Sequence, residues 1–486
     1  MKKKPIHVLY LASEADPLIK VGGLGDVAGS LPHALRQLRH ADGEDIDIDA
    51  RLVLPFQPAI RARLPEFEFL FEFLVPSTEA PIPAHVYRTQ LKSVPTYLIS
   101  AAPIDKGSPV YSSEAAIDGP KYVFFSLAAL ELARALNWHI DILHANDWHT
   151  ALAIYALKQK HGTDPFFQHT RSVLTIHNLP FMGAGTEAAF DISGLLPSRY
   201  PHLPWWARKH PLPLGLQTAD RIVAVSPTYA REILTPESGF GLEKFLHLRR
   251  KSISGILNGI DYDSWDPAND TQIAANFDDK SLERRLLNKK DLIESFSLDP
   301  DPRIPLLILI SRMDQQKGVD LALAGLSQSS QSKWQAILLG TGDPKLEKAS
   351  QQLEKDFPAR VRTILRFDAQ LARRMYAAGD ILLMPSRYEP CGLAQMIAMR
   401  YGCVPLARAT GGLQDTIQDI SEAGENGTGF LFKEASVPAF TAALQAALKV
   451  YTDPERWSLL QKQGMSQDFS WEKSASQYAK IYLELI

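Results

Sequence analysis

Short apolar runs alternate with amphipathic stretches along almost the whole chain. Several runs are apolar at consecutive positions, as strands are in a parallel sheet covered by helices on both faces. The stretches between them have apolar residues at helical spacing, as in residues 27–38 and 122–136. This rhythm is typical of doubly wound α/β domains. The predicted strands form two sets, residues 7–11, 50–54, 96–99, 140–144, 172–176 and 221–225, then residues 305–310, 335–339, 361–365, 381–384 and 404–406.

The two sets of strands predict two domains. Between them, residues 256–261 have the pattern of a strand and tight turn, and Asp266-Pro267 and Asn269-Asp270 mark loops. We therefore place one domain at residues 1–253 and a second at residues 254–470. The last stretch, residues 471–486, is amphipathic and long enough for a final helix.

The phrase Gly-Gly-Leu-x-Asp occurs once in each half of the chain, starting at Gly22 and at Gly411. Each copy lies between a predicted strand and a predicted helix. Glycine lets a ligand approach the backbone closely, and the free N–H groups of a helix start attract anions. Two copies favour two nucleotide-type domains that face one phosphorylated ligand, and two ordinary tight turns are the alternative.

Composition narrows the class of partner. The 486 residues carry a net charge of -3, with only short, scattered Lys/Arg clusters, which argues against a nucleic-acid partner. No apolar run approaches the ~20 residues of a membrane span, so no membrane partner is expected. Two cysteines, Cys391 and Cys403, exclude a disulfide framework and favour the reducing cytoplasm.

Three cations follow predicted strands, where ligands of such sheets bind. Lys20, Arg312 and Lys317 could neutralise a diphosphate leaving group that gains charge as its bond breaks. Each alone is more often a solvated cation, and this alternative weakens because all three follow strands. Of the other polar residues at strand ends, His177 could position a sugar or be structural, and Glu389 could bind sugar hydroxyls or cap the helix that follows it.

No metal or cofactor is predicted. Neither glycine phrase is followed by Gly-Lys-Ser/Thr, and neither fits Gly-x-Gly-x-x-Gly, so a hydride-transfer cofactor is poorly supported. His144, Asp147 and His149 lie near one strand end but lack the spacing of metal ligands.

Taken in order, these motifs resemble those of bacterial glycogen synthases and plant starch synthases. Lys20-Val21-Gly22-Gly23-Leu24 is similar to the donor-site motif Lys-x-Gly-Gly-Leu of that family. The other matches follow in the family's order over almost the whole chain: Asn146-Asp147-Trp148-His149-Thr150, His177-Asn178-Leu179, Val225-Ser226-Pro227-Thr228-Tyr229-Ala230, Leu257-Asn258-Gly259-Ile260-Asp261, Ser311-Arg312 with Lys317-Gly318, Gly342-Asp343-Pro344, Pro385-Ser386-Arg387-Tyr388-Glu389-Pro390-Cys391-Gly392-Leu393 and Thr410-Gly411-Gly412-Leu413.

The resemblance implies the GT-B fold, in which two doubly wound, Rossmann-like α/β domains face a central cleft. Residues 1–253 would form the acceptor-side domain, completed by the helix at 471–486, and residues 254–470 the donor domain. The implied activity is transfer of glucose from ADP-glucose to the non-reducing end of an α-1,4-glucan, with retention of configuration and without a metal. ADP-glucose and the glucan are thus the expected partners, and no oligomeric state is indicated.

The resemblance also assigns roles to matching positions. Lys20, Arg312 and Lys317 would hold the diphosphate, Glu389 would face the donor glucose, and His177 would lie at the anomeric centre. The implied donor-binding residues are Lys20, Gly22, Gly23, Asp26, Asn258, Arg312, Lys317, Cys391, Gly392, Leu393, Gly411 and Gly412. The implied acceptor residues are Glu14, Asp147, His149 and Asn178.

Three positions depart from the family's pattern. Met182 replaces a usual Gln, Ala394 replaces a common Thr, and Pro213 lies in a segment that usually reads Asn-Phe-Leu-Lys-x-Gly. These departures concern acceptor contacts and fine positioning of the donor. Two alternatives stay open: another retaining GT-B transferase with a different acceptor, such as glucose 1-phosphate, and a non-catalytic regulator that binds glucan or sugar nucleotide.

Overall fold

The chain folds into two compact units. The computed structural model describes residues 4–64, 66–105, 109–112 and 114–486. The first unit comprises Met1–Gly259 together with Trp471–Ile486, and the second comprises Ile260–Ser470. Each unit is an α/β fold built on its own sheet.

The sheet of the first unit has, within the described ranges, nine strands in the order β11-β10-β9-β8-β1-β4-β7-β6-β5. The strands from β11 to β7 run parallel, and β6 is antiparallel to both of its neighbours. A separate antiparallel pair joins β2 to β3. The strands are β1 Ile6–Leu11, β2 His40–Ala41, β3 Glu44–Asp45, β4 Ile48–Pro55, β5 Glu68–Val75, β6 Ile82–Leu91, β7 Val94–Ser100, β8 Ile142–Asn146, β9 Arg171–Ile176, β10 Arg221–Ala224 and β11 Ile253–Gly255.

The helices of the first unit follow the strands in the alternation that the apolar pattern predicts. They are α1 Gly23–Gln37, α2 Pro58–Arg61, α3 Ala102–Asp105, α4 Ala115–Ala135, α5 Asp147–Gln159, α6 Glu187–Ile192, α7 Pro211–Thr218, α8 Pro227–Glu232 and α9 Glu243–Leu248, with 3-10 turns at Trp205–Ala207 and Arg250–Ser252. Helix α5 begins directly after the end of β8, and α1 begins after the loop of residues 12–22 that follows β1. The first turns of both helices therefore follow the carboxyl ends of strands, where ligands of such folds bind.

The second unit has a six-stranded parallel sheet in the order β14-β13-β12-β15-β16-β17. Its strands are β12 Leu306–Ile310, β13 Gln335–Leu339, β14 Val361–Ile364, β15 Ile381–Met384, β16 Val404–Arg408 and β17 Phe430–Phe432. Its helices are α10 Arg285–Ser295, α11 Val319–Gln328, α12 Pro344–Asp356, α13 Ala369–Ala378, α14 Ala394–Arg400, α15 Gly411–Thr416, α16 Ile420–Ala423, α17 Val437–Tyr451 and α18 Pro454–Met465, with 3-10 turns at Leu282–Arg284 and Gly424–Asn426.

The last helix, α19 Trp471–Leu485, belongs to the first unit and packs into its core. Two of its tyrosines bind the sheet through a buried polar network. The Tyr482 hydroxyl lies 2.6 Å from Nδ1 of His144, and the Tyr478 hydroxyl lies 3.4 Å from Oγ1 of Thr175. The other nitrogen of His144, Nε2, lies 2.8 Å from the same Thr175 hydroxyl. The helix is therefore tied to strands β8 and β9 by hydrogen bonds as well as by apolar packing.

The predicted fold class is confirmed, since each strand of the two predicted sets overlaps an observed one in two largely parallel sheets. Two details differ. The predicted strand at 256–261 is wrong, because the strand is β11, Ile253–Gly255, which pairs in parallel with β10. As a result, residues 254–259 belong to the first unit rather than to the second. The sequence analysis also does not predict strands β2, β3, β5, β6 and β17.

Among the described residues, no helix is long and apolar enough to cross a membrane.

Candidate active site

The loop between β1 and α1 is organised by one buried carboxylate. Glu14 is 1% exposed, and its Oε2 accepts hydrogen bonds from the backbone N–H groups of Val21 and, at 3.1 Å, Gly22. Its Oε1 accepts from the hydroxyl of Tyr111 at 2.9 Å. Burial raises the pKa of Glu14, although these hydrogen bonds act to lower it. The first glycine phrase thus wraps around an anion that the protein itself supplies.

Lys20 lies on the same loop and is ion-paired. Its Nζ lies 2.6 Å from Oδ1 of Asp26, in the first turn of α1, and its side chain is 37% exposed. Gly22 is the N-cap of that helix and Gly23 its first residue. The carboxylate of Asp26 favours this place because the N-terminus of a helix carries partial positive charge.

Asp147 connects the end of β8 to the end of β9 through hydrogen bonds. It follows β8 with a φ of +52°, which is uncommon for any residue except glycine and is best tolerated by Asp and Asn. Its Oδ1 accepts from the backbone N–H of His177 at 2.7 Å and of Asn178 at 3.3 Å, both just after β9. Burial raises the pKa of Asp147 to about 7 against the effect of these bonds, and Glu14 adds to the rise. Asp147 therefore holds the loop of His177 in place and titrates near neutral pH.

His177 is neutral and has a defined tautomer. Burial lowers its pKa to about 3. Its Nε2 lies 2.9 Å from Oδ1 of Asn146, and the amide nitrogen of Asn146 donates to the carbonyl of Leu11 at 2.9 Å. Because the amide orientation makes Oδ1 the acceptor, Nε2 of His177 carries the proton. Nδ1 is then left with a lone pair and can accept a hydrogen bond.

Three predicted site residues of the first unit have a buried polar atom without a hydrogen-bond partner among the described residues: Nδ1 of His149, Oδ1 of Asn178 and Oδ1 of Asn258. Such atoms are rare in folded proteins and call for water or a ligand. His149 lies against the ring of Tyr111 at 4.8 Å, which connects it to the Glu14 loop. Asn258 follows β11.

In the second unit the structure places Lys317 against Glu389. Glu389 is 5% exposed, and its Oε2 lies 2.6 Å from Nζ of Lys317 and accepts from the hydroxyl of Ser386 at 3.1 Å. A buried carboxylate is stable only when it is paired and hydrogen-bonded, and both conditions hold here. The pair links the loop after β12 to the loop after β15.

Arg312 lies on the first of these loops and is more exposed. Its guanidinium lies 3.0 Å from Oδ2 of Asp314, and its side chain is 59% exposed. The loop is fixed to its neighbour because the side-chain amide of Gln316 donates to the carbonyl of Tyr388 at 3.1 Å. Arg312 therefore has a fixed backbone and an accessible guanidinium.

The second glycine phrase packs against the loop of Glu389. A Cβ atom on Gly411 would lie 2.0 Å from the carbonyl oxygen of Glu389, and one on Gly412 would lie 2.0 Å from that of Cys391. The N–H of Gly412 already donates to the carbonyl of Glu389 at 3.1 Å. These glycines are thus required by the close approach of the protein's own backbone.

The side chain of Gln395 holds the residues after Glu389 in place. The side-chain amide of Gln395 donates to the carbonyls of Cys391 and Gly392, each at 3.0 Å. Cys391 is a buried free cysteine. Leu393 is the N-cap of α14. The run from Glu389 to Leu393 is therefore one supported loop.

The structure thus gathers the predicted residues into a cluster in each unit. The first contains Glu14, Lys20, Gly22, Gly23, Asp26, Asp147, His149, His177 and Asn178; the second contains Arg312, Lys317, Glu389, Cys391, Gly392, Leu393, Gly411 and Gly412. Among the described residues, no hydrogen bond, ion pair or ring contact joins Asn258 to the first cluster. Within the described ranges, no three His, Cys, Asp or Glu residues could together hold a metal ion.

The sequence analysis does not assign three residues of the clusters to the site: Asn146, Ser386 and Tyr111. Asn146 and Ser386 lie at predicted strand ends, so their position was a usable signal. Tyr111 lies in an irregular segment before α4, and nothing in its sequence context indicates its contact with Glu14.

The fold accommodates the three residues that depart from the family's sequence pattern. Pro213 lies in the first turn of α7, where a helix needs no backbone N–H. Met182 is buried, and its carbonyl accepts from the N–H of Leu212 at 3.2 Å. Ala394 begins α14.

Comparison with known proteins gives concordant matches over the whole chain. Residues 7–248 match the family model described as the starch synthase catalytic domain, and residues 291–462 match glycosyl transferases group 1. The glycogen synthase of Clostridium perfringens (strain 13 / Type A) is 38% identical over 487 residues, covering 99% of each chain.

Solved structures agree. The catalytic domain of starch synthase IV from Arabidopsis thaliana, bound to ADP and acarbose, matches with a TM-score of 0.90 and 32% identity over 99% of each chain. A sucrose-phosphate synthase from Thermosynechococcus elongatus matches with a TM-score of 0.59 and 19% identity, which shows a shared fold alone.

Proposed function

Because the chain belongs to the family of bacterial glycogen synthases and starch synthases, and is thus a glycosyltransferase of the GT-B fold, we propose that it transfers glucose from ADP-glucose to the non-reducing end of an α-1,4-glucan. Configuration at C1 is retained and no metal takes part. The choice of donor is supported by the related starch synthase IV, whose structure contains ADP. The two buried free cysteines fit a reducing compartment, and we place the activity in the cytoplasm.

The buried pair of Lys317 and Glu389 is the observation that supports this function best. Glu389 is an acceptor-only group suited to donor sugar hydroxyls, and Lys317 lies 2.6 Å from it. With the nearby Arg312, a fixed cation and a more accessible one lie on a single loop. That arrangement suits a sugar diphosphate, whose two ends need a hydrogen-bond acceptor and positive charge.

In the proposed reaction the bond between C1 of glucose and the diphosphate oxygen breaks, and ADP leaves with the electron pair. Arg312 and Lys317, together with Lys20, neutralise the charge that develops on the diphosphate. The hydroxyl of the glucan attacks C1, and its proton leaves with the ADP. His177 is neutral, so its ring offers a hydrogen-bond acceptor at Nδ1 without adding positive charge.

The direct test is an assay of transfer from ADP-glucose and from UDP-glucose to glycogen, maltotriose and glucose 1-phosphate. We expect ADP-glucose and α-1,4-glucans to give the highest kcat/KM, and the new linkage to be α by NMR. A higher kcat/KM with UDP-glucose would reject the donor assignment, and preferred transfer to glucose 1-phosphate would reject the acceptor.

The roles of the cations are tested with matched controls from the same unit. Arg312→Ala should lower kcat by ~10²–10³-fold, as loss of one group from a preorganised anion site commonly does. Arg303 is also exposed and paired with an Asp two residues away, Asp301, at 2.9 Å, so Arg303→Ala should leave kcat unchanged.

For the partly buried Lys317, Lys317→Ala should cost a similar factor in kcat. Lys289→Ala removes a buried lysine, which also pairs with a buried carboxylate, Asp380 at 2.6 Å, and should lower the thermal midpoint instead. Equal loss of kcat in both lysine variants would assign Lys317 to stability alone.

A further inference from the structure

A shallow cleft in the first unit lies outside the two clusters of predicted site residues. It has a volume of about 480 Å³ and is lined by Glu187, Trp205, Trp206, Arg208, Lys209 and His210, with Pro197 at one side. Ligand sites are commonly of this size and combine an apolar wall with a few polar groups. None of the lining residues belongs to the motifs of the sequence analysis.

Trp205 gives the cleft its apolar wall. Its side chain is 82% exposed, whereas the other seven of the chain's eight tryptophans, all within the described residues, are buried or only partly exposed. It starts a 3-10 turn next to Trp206, whose ring lies 5.6 Å from that of His210. An indole that presents its face to solvent beside a concave surface is suited to stacking against a flat, partly apolar ligand.

Backbone hydrogen bonds fix the segment that carries Trp205, so the exposure of its side chain is a property of the fold. The backbone N–H of Ser198 donates to the carbonyl of Arg208 at 3.0 Å, and that of Ala207 donates to the carbonyl of Pro204 at 3.0 Å. On the opposite side, Oε1 of Glu187 lies 2.9 Å from Nε2 of His210 and accepts from the N–H of Gly185 at 3.3 Å.

The charges of the cleft fit a neutral ligand with many hydroxyl groups. Lys209 is already paired with Asp191, with both oxygens at 2.8 Å, and His210 is paired with Glu187. With His210 counted as uncharged, Lys209 and Arg208 are balanced in number by Asp191 and Glu187, so the cleft has no excess of positive charge and does not fit a polyphosphate or a nucleic acid. Carboxylate oxygens and ammonium groups instead match the acceptor and donor capacity of sugar hydroxyls.

We propose that this cleft binds a segment of α-1,4-glucan, with one pyranose stacked on Trp205 and its hydroxyls bound by Glu187 and Lys209. The choice of glucan rests on the proposed function, since a glucosyl-transferring member of this family works on that polymer. A long glucan could occupy this cleft and the active site together, whereas a trisaccharide could occupy only one of them. The cleft would then raise the local concentration of polymer ends without taking part in the reaction.

The test compares Trp205→Ala with wild type on glycogen and on maltotriose. We expect the KM for glycogen to rise by about tenfold or more, as loss of a second attachment point implies, while kcat and the KM for maltotriose change less than twofold. Retardation in a native gel that contains glycogen should fall in parallel. Trp205→Phe, which keeps an aromatic face, should recover part of both effects.

Phe367→Ala is the matched control, because Phe367 is 84% exposed and lies in the other unit. An unchanged KM for glycogen and unchanged retardation in Trp205→Ala would overturn the proposal and leave the exposed indole to a protein partner. A wild type that transfers glucose to no glucan would instead refute the proposed function. The two failures are therefore distinguishable in one set of assays.

Discussion

The substitution Gly411→Ala tests whether the position of Glu389 is set by the backbone of Gly411, which packs against the carbonyl of Glu389. Gly411 has a φ of +45°, and a Cβ atom there would lie 2.0 Å from the carbonyl oxygen of Glu389. Real Cβ atoms essentially never come closer than 3.0 Å to such a neighbour. The carbonyl of Glu389 must therefore move by about 1 Å, and the buried side chain that pairs with Lys317 must move with it.

Two costs are expected, and the structure offers a control that separates them. A left-handed conformation costs a non-glycine residue roughly 1–2 kcal/mol, and overpacking adds about 1–3 kcal/mol. Gly424 also has a positive φ, +57°, although its ψ of −121° lies outside the left-handed helical region, and a Cβ atom there would meet nothing within 4 Å. Gly424→Ala therefore measures the backbone cost alone.

We expect Gly424→Ala to lower the free energy of unfolding by about 1–3 kcal/mol, the cost of a sparsely populated backbone conformation, with kcat unchanged. Gly411→Ala should lower it further and reduce kcat by ~10²-fold, since a displacement of 1 Å in an active site commonly has that effect. Urea denaturation and steady-state kinetics at saturating donor measure the two quantities. If Gly411→Ala keeps a kcat within threefold of wild type, the backbone beneath Glu389 does not control the chemistry.

Three further predictions concern the first unit and the metal requirement. Folded Asp147 has a pKa of about 7, whereas the unfolded residue loses its proton near pH 3.8. The stability contributed by the protonated form is therefore lost as the pH rises towards 7. The free energy of unfolding of Asp147→Asn, measured by urea denaturation at each pH, should gain up to about 4 kcal/mol on that of wild type between pH 4 and 7.5. A constant difference across that range would contradict the shifted pKa. Asn146→Ala removes the acceptor for Nε2–H of His177 and should lower kcat by about 10–100-fold with little change in the KM for ADP-glucose; a selective rise in KM would instead indicate a role in binding. Activity should persist in EDTA, and loss that a divalent ion restores would refute the metal-free mechanism.

The apolar pattern predicts the sheets well because most strands are buried on both faces. Strand β12, Leu306–Ile310, is apolar at every position, and no other element explains a run so short and so apolar. Strand β5, Glu68–Val75, at the edge of its sheet has phenylalanines at alternate positions with Leu70 and Glu72 between them. It fits neither a two-faced buried strand nor a clean alternation, and it was missed for that reason.

The candidate site was predictable as a set of positions but not as a set of contacts. The second glycine phrase correctly indicates that something approaches the backbone closely. The approach comes from the protein itself, since the carbonyl of Cys391 would lie 2.0 Å from a Cβ atom placed on Gly412. In the first phrase, a Cβ atom on Gly22 would lie 3.5 Å from Oε1 of Glu14, which is ordinary contact. A glycine records the need for space and not the identity of the group that fills it.

The predicted diphosphate cations share a feature that no motif reveals, because each already has a carboxylate partner. Lys20 is paired with Asp26 at 2.6 Å, Lys317 with Glu389 at 2.6 Å, and Arg312 with Asp314 at 3.0 Å. These pairs hold each cation in place beside its carboxylate. A diphosphate bound as we propose would have to share or displace the carboxylates.

The degree of burial decides which pairs can exchange. Glu389 is 5% exposed, so leaving it unpaired would carry a heavy desolvation cost, and Lys317 should keep its contact with Glu389 while also reaching the diphosphate. Arg312 and Lys20 are 59% and 37% exposed, and water can compensate the carboxylates that they leave. The fixed cation would therefore orient the donor, and the two exposed cations would respond to the charge that develops as ADP departs.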